Sequence, residues 1–272
     1  MAKQSGFASA AELLPSLVKS AQALARPPIS NYHVGTVGLG STGRIFFGAN
    51  IEFPGLPLNN SIHAEQFLVT NLSLNAEPSL PCFAVSAAPC GHCRQFLQEL
   101  RAAPGIRILI TDDNNNRRYQ DLSTILPHRF GPDDLLSKDV PLILERHNND
   151  LALVIPPLEE EDLKLEALEA ANRSHAPYSK CPSGVALMDC EGKVYRGSYM
   201  ESAAYNPSLG PVQAAIVAYI VGGGAGYERI VAAALVEKEG VPVMQEATAR
   251  LLLATVAPKC ELKVFHCRSK RQ

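Results

Sequence analysis

PISNYHVGTVGLGSTGRIFFGANIE, residues Pro28–Glu52, decides the fold, because a second version of it, PYSKCPSGVALMDCEGKVYRGSYME, runs from Pro177 to Glu201. Sliding the sequence by 149 places without gaps pairs Pro28 with Pro177, Ser30 with Ser179, Gly35 with Gly184, Gly43 with Gly192, Gly48 with Gly197 and Glu52 with Glu201. Six identities in this 25-residue window compare with the roughly one or two that average composition supplies. Arg44/Lys193, Ile45/Val194 and Phe46/Tyr195 are similar pairs at the same offset. The glycines carry the physical content, since hairpin ends need backbone angles that only Gly adopts cheaply. The chain reads as a duplicated domain.

Within the first copy, Val34–Leu39 and Ile45–Ala49 are apolar runs joined by Gly40-Ser41-Thr42-Gly43, a turn composition, which predicts a β-hairpin. Residues 64–74 read as a helix, Cys82–Ala87 as a buried strand, Cys90–Arg101 as a helix stopped before Pro104-Gly105, and Ile106–Ile110 as a further strand. The order β-β-α-β-α-β is that of a layered α/β sandwich. Ahead of it, Leu13, Leu14, Leu17, Val18, Ala21 and Leu24 recur at helical spacing until Arg26-Pro27-Pro28. The division expected is an N-terminal helical segment over 1–26, a first domain over 27–129, a Pro- and acid-rich connection over 130–161 and a second domain over 162–272, which opens with a helix from Asp162 to Asn172.

The 272 residues are 46% hydrophobic and 19% charged, which excludes disordered and collagen-like chains. No stretch reaches the ~20 apolar residues of a membrane span. The strongest run, Val212–Val221, is interrupted by Gln213 and Tyr219. Lys and Arg number 25 against 27 Asp and Glu, so the basic footprint of a nucleic-acid binder is missing and a small neutral ligand fits better. Seven irregularly spaced cysteines in a chain too long to need staples point to a reducing compartment. With no secretory or transit pattern in Met1–Leu24, the cytosol is expected.

The chemistry-bearing residues are His63-Ala64-Glu65 and, further along, Pro89-Cys90-Gly91-His92-Cys93. C-x-x-C with Pro before the first Cys places two thiols at a helix start, where thiol pKa falls. A distant His completes three ligands, the number that leaves Zn²⁺ a fourth position for water, whereas a structural zinc needs a fourth Cys or His. The candidates for that fourth are His92, poorly aimed from inside the turn, and Cys82 on the preceding strand. Glu65 is an acid beside the metal position that need not bind metal and can move protons.

H-x-E followed by P-C-x-x-C is the known signature of zinc nucleobase deaminases. Here the chain resembles the cytidine deaminase family, in its longer homodimeric type that joins an active and a degenerate copy in one subunit. The resembling segments are 30–35, 48–52, 63–66, 89–95, 172–180 and 203–207. The resemblance implies a three-layer α/β/α cytidine-deaminase-like sandwich, duplicated within the chain. It implies one Zn²⁺ per subunit on His63, Cys90 and Cys93, and Glu65 as proton shuttle in hydrolysis of cytidine and deoxycytidine for pyrimidine salvage. It also implies substrate contacts from Asn50, Ile51, Glu52 and Ala64, base packing by Tyr32 where the family often has Phe, and Ala204 reaching the partner subunit's sugar. A carboxylate at Glu52 would repel phosphate, which favours nucleosides over nucleotides. At the same offset His63 meets Val212, Glu65 meets Ala214 and Asn50 meets Tyr199, so the second copy cannot hold the metal in the same way.

Two other functions stay open at this point: a polynucleotide cytosine deaminase, disfavoured by the acidic balance and Glu52, and a non-enzymatic zinc-stabilised binding module. Gly38-Leu39-Gly40-Ser41-Thr42-Gly43 matches a dinucleotide G-x-G-x-x-G, but a strand follows where that site demands a helix, so it reads as the hairpin turn. Gly222-Gly223-Gly224 reads as a helix-ending loop rather than a phosphate cradle. Cys260 with Cys267, and His33, His128, His147 and His175, read as structural or surface residues. Arg268–Arg271 reads as a solvated basic end.

Overall fold

Helix α1 (Ala10–Gln22) opens the computed structural model, which describes residues 6–112, 118–155 and 162–270. Ser9 caps it by accepting the Glu12 N–H, and Leu13, Leu14, Val18 and Ala21 form its buried face. Pro15 has no N–H to offer the Ala11 carbonyl one turn back; the Tyr119 hydroxyl donates to that carbonyl at 2.7 Å instead. The helix ends two residues before Leu24, the last residue of that apolar pattern, because the Leu24 and Ala25 N–H groups close onto the Ala21 and Gln22 carbonyls as turns.

The first sheet then forms from β1 (Gly35–Leu39) and β2 (Ile45–Ala49), the expected hairpin, with Gly43 at φ +85° in its turn. After α2 (Ala64–Leu74) come β3 (Cys82–Val85), α3 (Gly91–Phe96) and β4 (Arg107–Ile110). The expected Cys90–Arg101 helix is α3 followed by a tighter 3₁₀ turn over Leu97–Glu99, after which Leu100 is extended. A two-residue strand β5 (Gln120–Asp121), too short to leave a pattern, closes the order β2-β1-β3-β4-β5. Short helices α4 (Leu122–Ile125) and α5 (Pro132–Leu135) lead away from it.

The second sheet repeats this arrangement. It uses β6 (Leu151–Leu153), β7 (Ser183–Asp189), β8 (Val194–Ser198), β9 (Ile230–Lys238) and β10 (Glu261–Ser269) in the order β6-β10-β9-β7-β8. In both sheets the hairpin is antiparallel, the next pairing antiparallel, the third parallel and the edge antiparallel. The edge strand is supplied differently: β5 follows its sheet in sequence, whereas β6 precedes its sheet and falls inside the Pro- and acid-rich connection. Residues 1–5, 156–161 of that connection, and Arg271 of the basic end lie outside the described residues.

Helices cover both faces of each sheet. α6 (Asp162–Asn172) lies on β7 as α1 lies on β1. The paired glycines explain the closeness: a Cβ on Gly35 would stand 2.3 Å from the Gln22 backbone nitrogen, and one on Gly184 would stand 2.2 Å from that of Ala171. On the inner faces, α2 packs against α7 (Pro211–Val221), joined on the second copy's side by α8 (Glu246–Val256). α7 is apolar on nearly every side, Gln213 excepted, because it is enclosed by its own sheet and by α2. One continuous core, with Phe67, Leu68 and Leu72 meeting Val212, Ile216 and Tyr219, therefore joins the two copies. The Gly222–Gly224 run ends α7, with Gly223 at φ +91°.

Candidate active site

His63 and Cys90 are both N-cap residues, of α2 and α3, so two helix starts bring the ligands together. The His63 N–H is accepted by Gln66 Oε1 at 3.2 Å, and Gln66 Nε2 donates to the Pro207 carbonyl of the second copy at 3.1 Å. Arg94 ties down the approach to Cys90: its Nε donates to the Pro89 carbonyl at 2.7 Å and its Nη1 to the Ile125 carbonyl at 2.8 Å. The result is a tight triangle. Cys90 Sγ lies 3.6 Å from Cys93 Sγ and 3.5 Å from His63 Nδ1, and Cys93 Sγ lies 3.2 Å from that same nitrogen.

Among the described residues this is the cluster of three metal-capable side chains. Zn–S bonds of about 2.3 Å and a Zn–N bond of about 2.0–2.1 Å make tetrahedral edges of about 3.5–3.8 Å, close to the spacings seen. Two thiolates and an imidazole nitrogen are also the donor types Zn²⁺ selects, so the residues fit the ion. The possible fourth ligands are elsewhere. His92 stacks on the His63 ring at 5.1 Å between centroids, and Cys82 is buried on the opposite face of the sheet with Leu14 and Val18 of α1. Three ligands leave one position open, the arrangement of a catalytic zinc.

Electrostatics around the triangle are strongly perturbed. Hydrogen bonds from Cys93 and His63 hold the Cys90 thiol down to about 3, and the same sharing of a proton, with burial, pushes Cys93 well up. The bond to Cys90 raises His63 against the effect of burial. Glu65, in the first turn of α2 and 3% exposed, is pushed up by burial. It lies within hydrogen-bonding reach of Cys93, in contact with the ligand set but outside it.

A cleft of about 300 Å³ opens above these groups, the lower end of the usual size for a small-molecule site. Tyr32, Asn50, Ile51, Glu52, Ala64 and Glu65 line it together with His63 and Cys90. Tyr32 is 57% exposed at the cleft, and Ile51 and Ala64 are buried in its wall. Asn50 Oδ1 accepts the Val34 N–H and its Nδ2 donates to the Tyr32 carbonyl, both at 2.9 Å, so this amide holds the segment that carries Tyr32. Glu52 Oε2 accepts the Ile29 and Ser30 N–H groups at 2.9 Å, and Oε1 accepts the Ser30 hydroxyl at 2.5 Å. Burial acts to raise Glu52, but these bonds outweigh it and keep the carboxylate low and charged.

The second copy repeats that clamp without the metal site. Glu201 accepts the Tyr178 N–H at 2.9 Å, the Ser179 N–H at 3.1 Å and the Ser179 hydroxyl. The Glu52–Ser30 pair is thus an element of the fold as well as a wall of the cleft. Val212 and Ala214, in place of His63 and Glu65, are packed into the shared core. Ala204 is exposed and stands outside the cleft lining of its own chain. Gln66, three residues after His63, has no signal in the motif that marks it as a support for the site. Val34, Ser61, Ala87 and Ala88 also line the cleft, and their small or neutral side chains give no signal until the fold makes them a wall.

Comparison with known proteins shows what the chain is similar to. Two family models described as the cytidine and deoxycytidylate deaminase zinc-binding region match residues 9–106 and 122–250. The chain is 65% identical to "Cytidine deaminase 1" of Arabidopsis thaliana over 98% of its own length and 94% of that protein's. It is 52% identical to "Cytidine deaminase 6" of the same plant over 93% and 91%. Among solved structures, cytidine deaminase from Mycobacterium tuberculosis is 28% identical, covers 44% of this chain and 95% of its own, and has a TM-score of 0.39.

Proposed function

The chain belongs to the cytidine and deoxycytidylate deaminase family, and from that premise we propose that it hydrolyses cytidine and deoxycytidine to uridine and deoxyuridine, releasing ammonia. The observation that carries this reading is a buried carboxylate, Glu65, beside a three-ligand zinc site that opens into a nucleoside-sized cleft.

His63, Cys90 and Cys93 would hold the zinc, which when bound polarises a water molecule. Glu65 then serves as the base that takes a proton from that water and delivers it to N3 of the pyrimidine, making C4 electrophilic. The water oxygen adds at C4. Glu65 carries the second proton to the departing amino group, so that ammonia leaves and the oxygen stays as the 4-carbonyl. Burial supports this role: a carboxyl raised by desolvation is more willing to hold the proton between the two transfers. Asn50 and Glu52 would meet the ribose hydroxyls, with Ile51 and Ala64 forming the wall and Tyr32 packing on the base. The charged Glu52 opposes a phosphate group, which favours nucleosides.

The working form in this reading is a homodimer with one Zn²⁺ per subunit, in which Ala204 and its neighbours approach the sugar in the partner subunit. The catalytic unit spans 27–129 and the degenerate one 162–272, joined by 130–161, with 1–26 as an N-terminal helical segment. A place in pyrimidine salvage and in the cytoplasm follows from nucleoside chemistry and from the unpaired cysteines.

Turnover of cytidine, deoxycytidine and their monophosphates, with zinc measured on the same sample, tests it. Both nucleosides should react and both monophosphates should be poor substrates; preference for single-stranded RNA or DNA would overturn the substrate assignment.

A further inference from the structure

The exposed loop Ala204–Asn206 of the second copy is held from both ends by the catalytic copy. Tyr205 sits in the left-handed backbone region at φ 62° and is 69% exposed, an unfavourable place for a large aromatic on both counts. Its flanks, Ala203 and Pro207, are buried. The Pro207 carbonyl accepts from Gln66, one residue after Glu65. The Ala203 N–H donates to Glu99 Oε1 at 2.8 Å, and Glu99 ends the 3₁₀ turn that continues the helix carrying Cys93.

Glu99 is fully buried, and among the described residues the donors to its carboxylate come from the second copy: the Ala203 N–H on Oε1, and on Oε2 the Tyr178 hydroxyl at 2.7 Å and His175 Nε2 at 3.2 Å. Its backbone carbonyl takes the Ile143 N–H at 3.2 Å. A buried carboxylate is expensive unless fully satisfied, and three donors from one neighbour make it a geometric lock as well as a packing contact. The loop it locks carries no zinc ligand and lines no part of its own chain's cleft.

We propose that Glu99 is a positioning residue, which fixes the 203–207 loop in the one conformation that a second copy of this chain receives at its substrate cleft. This rests on the dimeric reading above. It makes each subunit's zinc-bearing elements the support for the loop that completes the other subunit's site.

The test uses Glu99→Gln and, in case that variant folds poorly, Tyr178→Phe, which removes one bond to the same carboxylate. Each should raise KM for cytidine roughly tenfold, with kcat within about twofold and zinc content unchanged, as loss of one charged hydrogen bond predicts. Mixed dimers, purified through two different tags, then combine a Glu65→Ala subunit, whose site is dead and whose loop is intact, with a Glu99→Gln subunit. The live site receives the intact loop from its partner, so KM should return to the wild-type value. A KM that stays raised in the mixed dimer, or that neither variant raises, overturns the role of Glu99 while leaving the dimer intact. A wild type that light scattering finds monomeric and fully active removes the dimeric reading and, with it, this proposal.

Discussion

Gly48 lies so close to Ala64 that a β-carbon on the glycine would stand 2.4 Å from the Ala64 carbonyl oxygen, and 2.7 Å from the Leu68 nitrogen. β2 thereby sets the position of the helix that begins with His63 and carries Glu65. In the second copy a β-carbon on Gly197 would likewise stand 2.1 Å from the Ala215 backbone nitrogen. The two glycines do the same mechanical work, but only one of them does it under a metal ligand.

Gly48→Ala and Gly197→Ala should therefore each cost about 1–3 kcal/mol of stability, the usual penalty of overpacking. Gly48→Ala should also lower kcat, because α2 must move to make room. Gly197→Ala should leave kcat per folded molecule within about twofold. Urea unfolding and steady-state rates on the same preparations separate the two effects.

Glu65→Gln keeps the volume of the side chain and removes its basicity. Deamination of cytidine, followed by ultraviolet absorbance, should fall by about 10²–10⁴-fold, the range for loss of a general acid–base. Zinc content should stay at one per chain, since Glu65 is outside the ligand triangle. Retained activity would remove the proton-shuttle role.

Cys93→Ala should abolish both zinc binding and turnover, and a chelator should reversibly do the same to the wild type. Because the ion binds the folded state, its removal should lower Tm, and added Zn²⁺ should restore it for the wild type alone. Metal analysis and a thermal melt decide this.

Glu77 gives the clearest pH dependence outside the site. It is fully buried at the hairpin turn and accepts bonds from the Thr42 N–H and hydroxyl, from Ser41 and from Arg44. Burial acts to raise it, but these donors outweigh burial and hold it below the ordinary 4.5. A carboxylate lowered in the folded state stabilises the protein above its unfolded pKa, and that contribution is lost as the pH falls through the folded value. Glu77→Gln should cost about 1–3 kcal/mol at pH 7, and its difference from the wild type should shrink as the pH falls below about 4.5. Denaturant titrations at a series of pH values measure it.

Much of the architecture was legible because it is encoded locally. The hairpin Gly35–Ala49, the helix Ala64–Leu74 and the repeat offset all rest on glycine chemistry and apolar periodicity, which act over a few residues. The zinc triangle was legible from residue type and spacing. β5 and β6 were not, since two- and three-residue strands exist only by pairing with an edge already built. The shortened end of α1 and the 3₁₀ turn after α3 were also out of reach, because both are set by individual backbone turn bonds that leave no apolar pattern.

By itself, then, the sequence determined that this chain has two related copies, that one holds His63, Cys90, Cys93 and Glu65, and that the other holds none of their counterparts. Tertiary structure alone decided what the second copy does for the first. Arg26 donates to the Gly224 and Ala225 carbonyls, Gln66 to that of Pro207, and Glu99 accepts from His175, Tyr178 and Ala203, all across the seam between copies. These partners lie 76 to 199 residues apart. No periodicity or motif links such distant positions; only the docking of two folded faces brings a buried carboxylate to its donors.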